Sequence, residues 1–339
     1  MKIIVTGGAG YIGSHTIVDL LENGYEVICV DNLSRSSDYS LAALEKITGK
    51  NIRFYKLELC DKEATAKFFE EHADAKGVIH FAALKSVPES VEKPLLYYEN
   101  NLNSLLHVLE GIARHRIPSF VFSSSCSVYG NADELPVSES TPIKEAESPY
   151  AHTKQIGEEI IRHWNKSTRC NSILLRYFNP IGAHPSALIG EMPIDKPNNL
   201  VPYITQSVIG KLGALTVYGG DYPTRDGSCI RDYIHVCDIA HAHTLALQYA
   251  LQLHQSACEV FNLGTGKGVT VFEVINAFER ATGKKLNYMV GDRRAGDVVA
   301  VYADNTKAQT KLNWHCAYSL EDAMLHAWKW EQTMQSFKQ

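Results

Sequence analysis

Short apolar runs alternate with longer amphipathic stretches along most of this chain. Residues 2–5 form a β-branched apolar run, and residues 6–13 turn from it through glycines into a stretch with helical periodicity. Further apolar runs at 26–30, 52–59, 77–81 and 119–122 predict strands. Helices are predicted over 62–72 and over a leucine-rich stretch from Pro88 to about Arg114, and Pro149 suits the first turn of another. This alternation predicts an α/β fold with a doubly wound parallel sheet, whose ligands collect at the carboxyl ends of the strands. Beyond residue 180 the pattern loosens. Gly, Pro and polar residues predict a long loop over 183–198, then a helix at 198–211, a strand at 215–218 and a loop at 219–227. A helix at 237–253 and a strand at 259–263 are expected to return to the first sheet, and 270–282 and 319–332 read as amphipathic helices. The expected division is therefore 1–180, completed by 236–264, and a smaller α/β substrate lobe formed by 181–235 and 265–339.

Composition narrows the class. A chain of 339 residues, 45% of them hydrophobic, exceeds the usual size of a single-core domain. A net charge of −5 without basic blocks argues against a nucleic-acid partner. The eight cysteines lack a Cys-x-x-Cys pair and read as reduced thiols, not as disulfides or a metal site. The first residues run straight into strand and glycine turn, and no apolar run approaches the length of a membrane span, so the expectation is a cytoplasmic protein.

Candidate chemistry gathers at the predicted strand ends. Gly7, Gly10 and Gly13 lie between a strand and a helix N-terminus, where free N–H groups and the helix dipole suit a pyrophosphate. Asp31 ends the second strand, placed to accept from ribose hydroxyls and to repel a 2′-phosphate, which favours NAD over NADP. The polar loop 32–37 either wraps the adenosine or is an ordinary connection. Glu58, Phe81, Ala82 and Lys85 fall at strand ends, as do Ser123, Ser124 and Ser125. Asn100 interrupts the leucine-rich helix. In Ser148-Pro149-Tyr150-Ala151-His152-Thr153-Lys154, Tyr150 and Lys154 share one helical face. An ammonium beside a phenol lowers the tyrosine pKa toward the working pH, as a general acid/base requires. Each feature alone is common in proteins that bind nothing; their combination is specific.

On these motifs the chain resembles the extended short-chain dehydrogenase/reductase family and, within it, the UDP-glucose 4-epimerases. The likeness spans nearly the whole length. It includes the loop from Thr6 to Gly13, Asp31-Asn32, His80-Phe81-Ala82, Arg176-Tyr177-Phe178-Asn179-Pro180, Asp221-Tyr222-Pro223-Thr224, Arg231-Asp232-Tyr233-Ile234-His235-Val236 and Arg293-Arg294-Ala295-Gly296-Asp297. The resemblance implies a Rossmann sheet and NAD-dependent interconversion of UDP-glucose and UDP-galactose through a 4-keto sugar. It assigns Tyr150, Ser125 and Lys154 to catalysis. NAD is assigned to Gly7, Gly10, Tyr11, Ile12, Gly13, Asp31, Asn32, Ser36, Glu58, Leu59, Phe81, Ala82, Lys85, Asn100, Tyr150, Lys154 and Phe178. The UDP-sugar is assigned to Ser125, Asn179, Asn199, Leu200, Tyr218, Arg231, Tyr233, Arg294, Asp297 and Val301; a guanidinium offers charge and a fork of donors to a pyrophosphate.

The resemblance also implies a homodimer formed through the helix from Pro88 and the helix from Pro149, with Leu102, Leu105, Leu106 and Leu109 as candidates, although these leucines would serve equally to cover their own sheet. Two departures stand out: Leu57-Glu58 replaces the usual Gly-Asp, and Ala295 replaces a common Glu. Val301 stands where epimerases restricted to glucose and galactose carry tyrosine, which implies room for an N-acetyl group; equally, Val299 and Val301 are alternate residues on one strand face. A 4,6-dehydratase would need an acidic pair where Cys126 and Ser127 stand. A non-catalytic NAD-sensing protein would have no use for intact Ser125, Tyr150 and Lys154.

Overall fold

The computed structural model describes residues 1–194, 196–293 and 298–336. Six strands of the first half, β1 (Lys2–Thr6), β2 (Glu26–Asp31), β3 (Arg53–Lys56), β4 (Gly77–His80), β5 (Ser119–Ser125) and β6 (Asn171–Tyr177), enter one parallel sheet. After them come the short strands β7 (Asn179–Ile181), β8 (Leu215–Tyr218), β9 (Ile230–Arg231) and β10 (Tyr233–His235). A longer one, β11 (Cys258–Leu263), returns to the main sheet and pairs with β6, giving the order 3-2-1-4-5-6-11. Such a Rossmann sheet buries its central strands on both faces, so they read as unbroken apolar runs: Ile3, Ile4 and Val5 are fully buried. Each contributes roughly 1.5–3 kcal/mol by leaving water. The order reverses direction between β1 and β4, which opens a crevice at their carboxyl ends.

Helices cover both faces. On one side lie α1 (Tyr11–Glu22), α2 (Tyr39–Thr48) and, from later in the chain, a helix over Val236–Gln252. On the other lie α3 (Lys62–Glu71), α5 (Pro94–His115) and α6 (Pro149–Asn165), with the short α4 (Val87–Glu92) beside them. The predicted single helix from Pro88 is thus two. Lys93 sits at φ −129° and ψ 58° because a residue before proline is pushed out of the helical region, and Pro94 starts α5 afresh. Asp61 caps α3 by accepting from Ala64 N at 3.0 Å, and Ser148 caps α6 by accepting from Ala151 N at 3.2 Å.

The helix over Val236–Gln252 is α8, which packs with α1 on the main sheet, and α10 (Thr306–Leu312) joins the same core; the smaller part contains α7 (Leu200–Val208), α9 (Val271–Thr282) and α11 (Leu320–Ser336). It also holds β12 (Val269–Thr270), β13 (Tyr288–Gly291) and β14 (Ala300–Val301). Three small sheets, β10-β7, β12-β9-β14 and β13-β8, surround a core in which Val274, Ile275 and Phe278 of α9 meet Met324 and Trp328 of α11. A reciprocal cap starts α9: Thr270 Oγ1 accepts from Glu273 N at 3.1 Å while Glu273 accepts from Thr270 N at 2.9 Å.

Besides several short strands of the smaller part, the elements α2, β6 and α10 are absent from the sequence reading. In β6 the polar Asn171 and Arg176 bracket the apolar run, and partners from elsewhere satisfy both; Asn171 Nδ2 donates to the carbonyls of Ala250 and Leu253 at 2.9 and 3.1 Å. Leu105 and Leu109 point into the protein's own core, so of the four candidate leucines Leu106 is the exposed one, joined on the surface by Val87, Val91, Leu95 and Leu96. The eight cysteines are free thiols, and among the described residues no helix is long and apolar enough to cross a membrane.

Candidate active site

Gly7 leaves β1 at φ +67°, where a side chain would be strained, and a Cβ on it would lie 2.7 Å from Ala82 N. A Cβ on Gly13 would lie 2.3 Å from Gly7 O, so this glycine lets the helix settle on the loop. Gly10 differs. It is the N-cap of α1, no side chain caps that helix, no acidic residue stands in its first turn, and a Cβ at Gly10 would meet only Gly7 O, at 3.2 Å. The loop therefore presents an uncapped, positively polarised helix end facing open space, with Tyr11 and Ile12 in its first turn. Tyr11 donates from its hydroxyl to Gly182 O at 2.6 Å, tying this turn to the chain beyond β7.

Asp31 is nearly buried at the end of β2. Its carboxylate accepts from Ala9 N at 3.1 Å, Leu33 N at 2.9 Å and Ser36 Oγ at 2.8 Å, which joins the glycine loop to the polar loop. Asn32 Nδ2 donates to Glu58 Oε2 at 2.7 Å, and the other oxygen of Glu58 accepts from Cys60 N at 2.9 Å. Despite the departure from Gly-Asp, Glu58 is thus held at the end of β3 beside Asn32, with Leu59 buried behind it. Phe81 N donates to Thr6 O at 3.0 Å, which keeps Phe81 and Ala82 against the glycine loop. Asn100 donates through Nδ2 to Asn101 Oδ1 at 3.0 Å.

The acid/base candidates meet at the next strand. Lys154 is buried, and its ammonium donates to Ser123 O at 2.7 Å while lying 4.9 Å from the Phe122 ring centre and 6.0 Å from that of Tyr150. Ser125 Oγ accepts from Ser127 N at 3.2 Å and from Ser127 Oγ at 3.0 Å. The expectation that Lys154 depresses the Tyr150 pKa is not met. Burial, reinforced by Tyr177 and other weakly acidic neighbours, raises the phenol above its ordinary value, and the Ser125 hydroxyl opposes this only in part. Burial also pushes Lys154 down, to about 8, with Glu158 pulling it back. The chain by itself holds Tyr150 as a neutral phenol, so its base form needs a further positive charge beside it.

Phe178 follows β6 and packs with Val128, Tyr129, Val137 and Ala303, against which Val301 is half-buried. Asn179 opens β7 and Tyr233 opens β10, facing each other in register. Arg231 pairs with Val301 across β9 and β14 and donates through Nη1 to Ile230 O at 2.9 Å and Val298 O at 2.6 Å. Tyr218 ends β8 and is half-exposed. Asn199 stands just before α7, where Leu200 is the first residue, and its side chain, instead of capping the helix, donates to Glu191 Oε1 at 2.7 Å; the same oxygen accepts from Lys85 Nζ at 3.1 Å. Glu191 so bridges a cofactor candidate and a substrate candidate. Arg294 and Asp297 lie outside the described residues.

Some positioning residues were not read from the sequence. Asn101, buried in α5, exchanges bonds with both backbone groups of Leu84 at 2.8 and 3.0 Å and donates to Thr153 Oγ1 at 3.2 Å. Asp232, fully buried between Arg231 and Tyr233, accepts from Thr265 N at 2.8 Å, Thr265 Oγ1 at 2.7 Å, Gly266 N at 3.1 Å and Ala303 N at 3.1 Å. Neither stands out in the sequence: Asn101 lies among Glu99, Asn100, Asn103 and Ser104, and Asp232 follows Arg231.

Comparison with known proteins adds to this geometry. The sequence profile described as the NAD dependent epimerase/dehydratase family matches residues 3–264. The UDP-glucose 4-epimerase of Schizosaccharomyces pombe is 48% identical over 335 residues, covering 97% of this chain and 94% of that protein. The solved structure of a UDP-glucose-4-epimerase from Stenotrophomonas maltophila with bound NAD and formylated UDP-arabinopyranose aligns with a TM-score of 0.96 at 42% identity, covering 99% of each chain. That of the UDP-Glc/GlcNAc 4-epimerase from Campylobacter jejuni aligns with a TM-score of 0.85 at 34% identity, covering 98% of this chain and 99% of that one.

Proposed function

Because the chain belongs to the NAD dependent epimerase/dehydratase family, we propose that it interconverts UDP-glucose and UDP-galactose by inverting C4 of the sugar. The observation that carries this reading is the placement, at the carboxyl ends of the parallel strands, of both the uncapped glycine turn after β1 and the end of β5 at Ser125, where Lys154 is anchored. The cradle fits a dinucleotide: Gly10 leaves the helix end open, and Asp31 offers a carboxylate where ribose hydroxyls donate. NAD, when bound, supplies a positive charge beside the phenol and an acceptor that takes the C4 hydride and returns it to the opposite face of the transient 4-keto sugar.

The residues divide the remaining work. Tyr150 takes the C4 hydroxyl proton and later gives it back, Ser125 hydrogen-bonds that hydroxyl, and Lys154 binds the nicotinamide ribose and favours the phenolate. Gly7, Gly10, Tyr11, Ile12, Gly13, Asp31, Asn32, Ser36, Glu58, Leu59, Phe81, Ala82, Lys85, Asn100 and Phe178 hold the cofactor. Arg231 and Arg294 hold the UDP pyrophosphate, and Asn179, Asn199, Leu200, Tyr218, Tyr233 and Asp297 anchor the rest of the UDP-sugar while the hexose turns over. Residues 1–180 with 236–264 form the NAD-binding unit, and 181–235 with 265–339 the UDP-sugar unit. The chain works in the cytoplasm as a homodimer that covers Val87, Val91, Leu95, Leu96 and Leu106, apolar residues of α4 and α5 whose exposure supports this reading. A monomeric mass by light scattering at micromolar concentration would exclude the dimer.

A hydride that must return to the same sugar requires a cofactor that stays bound. Protein purified without added NAD should release NAD on heat denaturation and should convert UDP-galactose with no cofactor supplied. Turnover by protein that releases no NAD would sink the mechanism.

One finer reading has its own support. Val301 leaves more room than tyrosine beside Arg231, and the similar Campylobacter jejuni protein is a UDP-Glc/GlcNAc 4-epimerase. N-acetylated UDP-sugars are therefore substrates as well.

A further inference from the structure

Helix α6 touches β5 at three levels four residues apart. Tyr150 lies by Ser125, Lys154 donates to Ser123 O at 2.7 Å, and Glu158 accepts from Ser124 Oγ at 2.6 Å. The last of these is unusual for its burial. The Glu158 side chain is fully enclosed, yet Oε1 also accepts from Arg176 Nε at 2.8 Å, while Oε2 accepts from Arg176 Nη2 at 2.6 Å and Arg162 Nη2 at 2.9 Å. Four charge-assisted or hydroxyl donors on one carboxylate offset the cost of burying it. Arg176, itself buried, lies with its guanidinium 4.8 Å from the Tyr129 ring centre, which orients the fork.

The ammonium one helical turn away has no such shell. Around Lys154 stand Tyr150 on α6, the Phe122 ring and Ser123 carbonyl on β5, and, on β4, His80, a buried neutral imidazole whose Nδ1 is 2.8 Å from Thr6 Oγ1. Of the described residues that act on Lys154, Glu158 is the one carrying a negative charge. We propose that Glu158 is a positioning residue for the acid/base pair: its buried carboxylate, one turn of α6 from Lys154 and bonded to Ser124 next to the carbonyl that Lys154 holds, places a negative charge behind the ammonium and keeps α6 in register with β5, so that Tyr150 and Ser125 reach the sugar hydroxyl together. This rests on the epimerase reading given above.

The test compares wild type with Glu158→Gln, and with Glu158→Gln/Arg176→Gln in case a lone unpaired Arg176 prevents folding. Two readouts are taken: the 13Cε resonance of Lys154 followed from pH 6 to 10 in 13C-lysine-labelled protein, assigned through Lys154→Met, and the pH profile of kcat for UDP-galactose. A neighbouring opposite charge moves a pKa by about one to three units. Loss of the carboxylate should therefore move both the Lys154 titration and the alkaline limb of kcat to lower pH by about one unit or more. The double variant should behave alike, since Arg176 is not among the groups that act on Lys154. A Lys154 titration that stays in place in a folded variant, or a kcat lowered equally at every pH, overturns the proposal and leaves Glu158 a structural ion pair. Wild-type protein that fails to convert UDP-galactose counts against the proposed function, while the resonance still reads the charge coupling by itself.

Discussion

Removing one hydroxyl from Tyr150 separates binding from chemistry. Tyr150→Phe keeps the ring against its neighbours, so UDP-sugar and NAD affinity should persist, while turnover falls by about 10²- to 10⁴-fold, the usual contribution of a general acid/base. Near wild-type kcat in that variant would move the base elsewhere. Val301 makes a second test at this scale. It is half-buried beside Arg231 and Phe178, and on the proposed reading a tyrosine ring there would take the space of the N-acetyl group. Val301→Tyr should abolish epimerisation of UDP-N-acetylglucosamine and leave that of UDP-glucose, measured side by side; retention of the first activity would release Val301 from that role. Ser125, Tyr150 and Lys154 were legible in the sequence because a strand end and a four-residue helical spacing are local patterns. The direction of the Tyr150 shift was not. It is set by burial among β5, β6 and α5, which no local pattern reports.

At the level of elements, the turn into α1 can be probed one glycine at a time. Gly10→Ala adds a methyl group that meets only Gly7 O, at 3.2 Å, so the fold should survive with little change in melting temperature while NAD occupancy drops, as read by the NAD released per protein chain. Gly13→Ala forces a methyl group to 2.3 Å from the same carbonyl and should lower both together. Undiminished NAD in folded Gly10→Ala would remove the open helix end from cofactor binding. Elements with periodic apolar faces, such as α1, α3 and α9, were legible, the last two also through their capping side chains. So was β8, whose bounds agree with the reading at both ends. The break at Lys93 was missed although Pro94 announces it. Strand β6 was hidden because Asn171 and Arg176 look like loop residues until α8 and α6 supply their partners.

For the molecule as a whole, pH should act through its buried imidazoles. Burial holds His15, His80 and His235 near 3 and His243 near 4, against an ordinary value of 6.5. The unfolded chain therefore binds more protons than the folded one between those limits, so stability is full above about pH 6.5 and falls as pH drops through the folded values. His241, drawn up by Asp19 at 3.1 Å, acts in the opposite sense but is half-exposed. Urea unfolding should show a lower midpoint at pH 5 than at pH 7; equal midpoints would contradict neutral burial of these rings. The return of β11 to the edge of β6 has a different consequence, for synthesis on the ribosome. A nascent chain that has emerged only through residue 180 carries an open strand edge at β6 and an α1 face awaiting α8, and Trp314, fully buried in the same core, arrives later still. Exposed edges and unpaired apolar faces invite association with other chains. The sheet begun by the first 180 residues therefore stays unfinished until most of the polypeptide has been made.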